Sequence, residues 1–169
     1  LEKEGIGVPG SRFTYAVGRL VLWSAKPELS SKLGLQLLDQ NFFRYLAIAN
    51  PKTAPYGKAA EQVLRKTGYW EKIQSRLVRG ENISQTLQFL ITENAQVGFI
   101  SLSQIKSKRG PRGGTSWLVP PNLYEPIEQQ VILLQHANSN HVAQEFLKFL
   151  KSKKSQRIIK FYGYDVDHF

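Results

Sequence analysis

The chain has 169 residues, which is enough for one ordinary domain or two very small ones. Hydrophobic residues make up 41% and charged residues 21%, which excludes a wholly disordered chain, and the longest apolar runs are too short to span a membrane. There is no Cys and no Met, so disulfide scaffolds, thiol catalysis and Cys-ligated zinc are excluded, and an oxidising compartment suits such a chain. The first residues lack the pattern of a signal peptide, so we expect a processed or trimmed product.

Positive charge exceeds negative charge, with 23 Lys and Arg against 13 Asp and Glu and a formal net charge of +10. Such a surplus favours anionic ligands or partners, nucleic acid among them. The two main clusters are Lys106, Lys108, Arg109 and Arg112 in a Gly-rich loop, and Lys148, Lys151, Lys153, Lys154, Arg157 and Lys160 along a predicted helix. The aromatic residues of that helix fall on its opposite, apolar side, so the pattern favours a solvated face over a nucleic-acid-binding surface.

Strands and helices alternate through the first two thirds of the chain. Short apolar runs predict strands at 19–25, 45–49, 76–79 and 96–100, and helical spacing of apolar residues predicts helices at 33–43, 57–66 and 82–92. Asn82 is a good N-cap, and Gln85 stands where a capping box requires Glu or Gln. From 45 to 100 the order strand–helix–strand–helix–strand at this spacing indicates parallel strands joined by right-handed crossovers, that is, an α/β lobe.

The last third is less regular. A basic, Gly-rich tract at 106–116 predicts a loop, the segment 126–134 carries another strand, and 138–140 caps a final helix at 141–161.

Catalytic and metal-binding patterns are weak. His136, His141 and His168 are not paired with carboxylates at metal-ligand spacing, and Ser101 follows a strand without the sequence of a nucleophile elbow. No phosphate-binding Gly-rich fingerprint follows a strand. We therefore predict neither an enzyme nor a metal site.

Two junctions between a strand and a helix are better candidates for a binding site. Ligands of an open parallel sheet bind outside the carboxyl ends of its strands, and this edge carries the junctions at 55–57 and 81–83. Helix N-termini offer unpaired N–H groups and a partial positive charge, Gly57 would allow close backbone approach, and Ile83 would present its amide. Since most helix N-termini bind nothing, ordinary turns remain the alternative.

Seven segments spread over nearly the whole chain carry a family resemblance, namely VPGSRFTYAVGRLVLWS (8–24), LAIANP (46–51), APYG (54–57), GENISQTLQ (80–88), VGFISLSQ (97–104), VPPNLYEPIEQQ (119–130) and YGY (162–164). Together they resemble the periplasmic molybdate-binding proteins, the soluble receptors of molybdate ABC transporters. The segments occur in the family's order, which makes the resemblance more specific than any single motif.

The resemblance implies an α/β fold of the periplasmic-binding-protein-like type II class. Family members are larger and have two lobes with the anion in the cleft, so we expect one complete βαβαβ lobe and only the C-terminal part of the other, with an N-terminal part missing. The expected division is a crossover segment and strand of the first lobe at 1–24, the second lobe at 25–104, and the return to the first lobe at 105–169.

The resemblance also implies the site. It places Tyr56 and the backbone amide of Ile83 at the anion, and more weakly Ser101, where some relatives use a Tyr. The ligand would be molybdate or tungstate, with no cofactor and no direct metal ligand. These dianions carry no proton near neutral pH, so amide and hydroxyl donors suffice, and rejection of sulfate would depend on cavity size.

The expected function is high-affinity binding of molybdate or tungstate and delivery to an ABC transporter permease, by a monomer in the periplasm or tethered to the outer face of the membrane. Alternatives are a basic nucleic-acid-binding module and a sensing domain for another anion such as sulfate. We expect no nucleic-acid partner for the receptor.

Overall fold

The computed structural model describes residues 1–26, 31–39 and 43–166. By their contacts these residues divide into two compact units, one formed by Arg19–Ile127 and the other by Leu1–Gly18 with Glu128–Phe169. No helix in the described ranges has the length and apolar character needed to cross a membrane.

Seven strands, six α-helices and four 3₁₀ segments make up the regular structure of the described residues. The strands are β1 (Phe13–Gly18), β2 (Leu20–Ser24), β3 (Leu46–Ala49), β4 (Leu77–Gly80), β5 (Val97–Ser101), β6 (Thr115–Leu118) and β7 (Ile127–Val131). The helices are α1 (Pro55–Lys66), α2 (Trp70–Ile73), α3 (Ile83–Ile91), α4 (Leu102–Lys106), α5 (His141–Lys151) and α6 (Lys153–Phe161).

The larger unit contains a five-stranded sheet in the order β4-β3-β5-β2-β6. Strand β3 pairs in parallel with β4 and with β5, whereas β2 is antiparallel to both of its neighbours, β5 and β6. The predicted α/β class and the predicted parallel strands are confirmed. The antiparallel position of β2 was not predicted, because its partners lie far along the chain.

Helices cover both faces of this sheet. Leu46 and Ile48 of β3 pack on one face with Val63 of α1, while Ala47 between them packs on the other face with Leu90 of α3. All five are at most 1% exposed. Because successive side chains of a strand point to opposite faces, a strand with helices on both sides is apolar throughout, as the run at 45–49 predicted.

The pairing of β2 bears on the expected division of the chain. The sequence assigned 1–24 to the first lobe, yet β2 pairs with β5 and β6. The two units that the contacts define are therefore divided after Gly18 and after Ile127. These boundaries describe contacts, and the assignment of 1–24, 25–104 and 105–169 to lobes stays a prediction.

The smaller unit contains the two-stranded sheet of β1 and β7 together with α5 and α6. The prediction of one helix over 141–161 was wrong. Ser152 has an extended ψ of 151°, and its hydroxyl accepts from the Ser155 N–H, so it ends α5 and caps α6. Large apolar side chains on these helices are exposed, namely Val142, Phe146, Phe149, Ile158 and Phe161.

The predicted helix at 33–43 is instead a 3₁₀ segment over Ser31–Asp39, and positions 40–42 lie outside the described residues. Gly34 interrupts it with φ 54° and ψ −131°, where an added Cβ would meet the Trp117 ring at 3.1 Å. The positive φ and the close ring favour glycine at this break in the segment.

Candidate functional site

Three strands of the larger unit end at one edge of the sheet, and a helix starts after each of them. Strands β3 and β4 end in register, with Ala49 opposite Gly80, and the Asn50 N–H donates to the Gly80 carbonyl at 2.7 Å. Strand β5 flanks β3 on its other side and ends at Ser101. The starts of α1, α3 and α4 therefore follow neighbouring strand ends, as predicted for the first two.

Helix α1 begins against the end of β3. Its N-cap, Ala54, provides no side-chain cap, and Pro55 takes the first position. Gly57 is buried, and an added Cβ would collide with the Ala49 carbonyl oxygen, so only glycine allows the helix to start this close to the strand. Tyr56 is half-buried and packs against the apolar core beside it.

Helix α3 begins with a well-fixed peptide group. The Asn82 side chain accepts from the N–H groups of Ser84 at 3.0 Å and Gln85 at 2.9 Å, which leaves the Ile83 N–H without an acceptor in the described part of the chain. The Asn82 carbonyl accepts two bonds from Thr86, one from its N–H at 3.1 Å and one from its side-chain hydroxyl at 2.9 Å. Since N–H and C=O of a trans peptide point in opposite directions, this bonding directs the Ile83 N–H out of the helix start.

Ser101 lies at the end of β5 and is 2% exposed. Its hydroxyl is 3.0 Å from the Ser103 hydroxyl and 3.1 Å from Gln104 Oε1, and it accepts from the Gln104 N–H at 3.3 Å. It therefore caps α4, and a direct contact with a ligand would require the hydroxyl hydrogen to leave Gln104 or Ser103.

The N–H and hydroxyl donors at these helix starts carry no charge. Lys58, on the first turn of α1, is paired with Glu125 at 2.8 Å, and hydrogen bonding to the Lys58 ammonium lowers the pKa of the Glu125 carboxyl. No cluster of three or more His, Asp or Glu side chains that could hold a metal ion occurs among the described residues, and His168 lies outside them. Backbone donors without a fixed charge suit an anion that carries no proton.

The structure thus brings together the helix starts that carry Tyr56 and Ile83, with Ser101 at the next strand end. The prediction of a capping box at Asn82 was wrong in one respect, because Gln85 Oε1 accepts from the Glu81 N–H rather than from the N-cap N–H. The capping box is at Ser101 and Gln104. Sequence reasoning missed Gln104, although its Ser-x-x-Gln spacing is the usual signature of that motif.

Fold and edge geometry define an α/β ligand-binding domain that presents backbone donors at the carboxyl ends of parallel strands. Comparison with known families agrees, since the profile of the bacterial extracellular solute-binding proteins matches residues 1–165. The chain belongs to this family, whose members are binding proteins, and the prediction of a binding protein rather than an enzyme is confirmed.

Relatives at high identity are molybdate-binding proteins. The chain is 52% identical over 166 residues to the molybdate-binding protein ModA of Azotobacter vinelandii and 46% identical over 162 residues to that of Rhodobacter capsulatus. It covers 66% and 62% of those proteins, so it spans just under two thirds of their length, and they cover 98% and 96% of it.

Solved structures show the same fold. The periplasmic molybdate-binding protein of Azotobacter vinelandii matches with a TM-score of 0.88 and 38% identity, over 99% of this chain and 73% of that one. A substrate-binding domain from Clostridium difficile, assigned to a molybdenum ABC transporter, matches in fold with a TM-score of 0.80 at 22% identity, over 99% of this chain and 72% of that one.

Proposed function

We propose that the full-length protein binds molybdate or tungstate and delivers it to the membrane permease of an ABC transporter. The ligand class is supported by the two relatives at 52% and 46% identity, both of which are molybdate-binding proteins. The relatives support neither the nucleic-acid-binding module nor a sensor for another anion.

The Ile83 N–H is the observation that carries the site. It is the first amide of a nine-residue helix, it is aimed out of the helix start, and the Asn82 cap leaves it available to a ligand. An oxyanion there would gain a hydrogen bond to an oriented amide and the favourable field of the helix N-terminus. Tyr56 at the neighbouring helix start and, more weakly, Ser101 complete the proposed contribution of this chain.

The proposed ligand matches the chemistry of these donors. Molybdate and tungstate near neutral pH present only acceptor oxygens, whereas a protonated anion would also need a carboxylate to accept its proton. We further propose that the protein acts as a monomer in the periplasm, free or tethered to the outer face of the membrane. Membership of an extracellular solute-binding family supports this location.

The substitution Ile83→Pro tests the site. Proline lacks the N–H but is tolerated at the first position of a helix, and Asn82 already has the extended backbone (φ −147°, ψ 173°) that a residue before proline prefers. Loss of a charge-assisted hydrogen bond of about 1.5–3 kcal/mol should weaken molybdate binding about 10- to 100-fold. Calorimetry on the full-length protein, with sulfate as competitor, measures the change.

The matched control is Ile83→Ala, which removes the side chain but keeps the amide. It should bind molybdate within a few fold of the wild type. Equal binding by wild type and Ile83→Pro would refute the site, and absence of molybdate or tungstate binding by the wild type would refute the function. Calorimetry on the 169-residue chain in parallel would show how much of the affinity these donors supply by themselves.

A further inference from the structure

Gln104 connects two of the three helix starts at the sheet edge where β3, β4 and β5 end. It is the third residue of α4, and its side-chain Nε2 donates to the Ile83 carbonyl at 2.9 Å. Its Oε1 accepts from the Ser101 N–H at 3.1 Å and from the Ser101 hydroxyl at 3.1 Å. One carboxamide therefore ties the first residue of α3 to the last residue of β5.

These bonds act on the orientation of the Ile83 amide. Thr86 holds the peptide group before Ile83 through the Asn82 carbonyl, and Gln104 holds the peptide group after it through the Ile83 carbonyl. With both flanking peptide groups held, the direction of the Ile83 N–H is fixed before any ligand arrives. Donors held in their bound orientation bind an anion more tightly because less conformational freedom is lost on binding.

We propose that Gln104 is a positioning residue for oxyanion binding, which acts through the Ile83 amide and does not itself touch the anion. This inference rests on the function proposed above. It requires a side chain that donates at one end and accepts at the other, because Nε2 gives the Ile83 carbonyl a bond in addition to its helical one and Oε1 accepts from the Ser101 N–H. An apolar side chain of similar size offers neither.

Gln96 provides a matched control in the same unit. Its Oε1 accepts from the N–H groups of Arg44 at 3.0 Å and Tyr45 at 3.1 Å, and its Nε2 donates to the Glu93 carbonyl at 3.0 Å. Like Gln104 it is partly buried and makes three side-chain bonds to neighbouring segments. It lies at the amino ends of β3 and β5, at the opposite edge of the sheet, so it supports the fold without touching the site.

The experiment compares Gln104→Leu with Gln96→Leu in the full-length protein. Partners that orient the ligands of a bound metal ion are typically worth about 10- to 100-fold in affinity. By the same physical argument we expect Gln104→Leu to weaken molybdate binding by about tenfold or more. Gln96→Leu should lower the unfolding midpoint in urea about as much as Gln104→Leu does. It should leave the molybdate Kd within about twofold of the wild type. Calorimetry and urea unfolding supply the two readouts.

Amide NMR of the same variants supplies a readout that fold stability alone would not move. Added molybdate should shift the Ile83 amide resonance in the wild type and in Gln96→Leu, and the shift should be reduced or lost in Gln104→Leu. Equal affinity of wild type and Gln104→Leu would overturn the positioning role while leaving the proposed function in place. Equal losses of molybdate affinity in Gln104→Leu and Gln96→Leu would attribute the effect to fold stability, and this result would also overturn the positioning role. A wild type that binds no molybdate would overturn the proposed function and this inference together.

Discussion

Tyr69 joins two segments of the larger unit through its hydroxyl, which donates to Asp39 Oδ2 at 2.6 Å. Burial, the hydrogen bond to Asp39 and the Asp39 charge, in that order, raise the pKa of Tyr69 to about 12 from an ordinary value of 10.0. Ionisation would add a negative charge beside the carboxylate and remove the bond. The neutral phenol is therefore favoured in the folded state.

This shift predicts a loss of stability in alkali. A pKa that is higher in the folded state gives stability that is fully present below the unfolded pKa of about 10 and is lost as the pH rises towards about 12. The urea unfolding free energy of the wild type should fall more steeply over this range than that of Tyr69→Phe. At pH 7 the variant should be less stable by about 0.5–1.5 kcal/mol, the usual value of one hydrogen bond. Parallel curves for the two proteins would contradict the shift.

A substitution at the start of α3 should affect protein stability and molybdate binding in opposite directions. Asp caps a helix as well as Asn, and its charge interacts favourably with the helix N-terminus, so Asn82→Asp should keep or raise the unfolding temperature. The same charge would repel an oxyanion at the adjacent Ile83 amide, and the molybdate Kd should rise by at least about tenfold. Thermal unfolding and calorimetry measure the two effects.

Asn140→Asp is the control for this prediction. Asn140 caps α5 in the smaller unit with the same pattern, accepting from the N–H groups of Val142 at 3.0 Å and Ala143 at 3.2 Å. The added charge should have the same effect on stability and leave molybdate affinity within about twofold. Unchanged affinity in Asn82→Asp would place the anion away from α3.

The sequence predicted α3 because its formation depends on residues that are close together along the chain. Asn82 and the apolar spacing of 83–91 predicted α3 and its first amide, because capping and periodicity act within a few residues. Apolar spacing could not reveal the break at Ser152, since the apolar pattern continues across it. The link from Gln104 to Ile83 spans 21 residues, and the pairing of β4 and β5 with the two sides of β3 brings their ends to the same region.

The net charge of the chain should speed the approach of an anionic ligand. A formal charge of +10 attracts a dianion over distances comparable to the Debye length, about 10 Å at 0.1 M salt. Raising the salt from about 20 mM to about 500 mM should slow molybdate association several fold and change its dissociation little, because screening weakens long-range attraction more than short hydrogen bonds. Stopped-flow tryptophan fluorescence on the 169-residue chain, to which this charge belongs, gives both rate constants.

A variant with less surface charge checks this interpretation. Lys153, Lys154 and Arg157 are exposed on α6, and their joint replacement by Gln should slow association at low salt and flatten its salt dependence. Salt effects of equal size on association and dissociation would argue against steering by the overall charge.

The place of β2 in the sheet has a consequence for the order of folding events. Strand β2 comes first in the larger unit, yet its partners are β5 and β6, whose residues follow about 75 to 95 positions later along the chain. In the smaller unit β1 likewise pairs with β7, on the far side of the whole larger unit in sequence. Pairings between distant segments require long loops to close and form slowly. During synthesis β1 and β2 must therefore wait, unpaired, until most of the chain has been made.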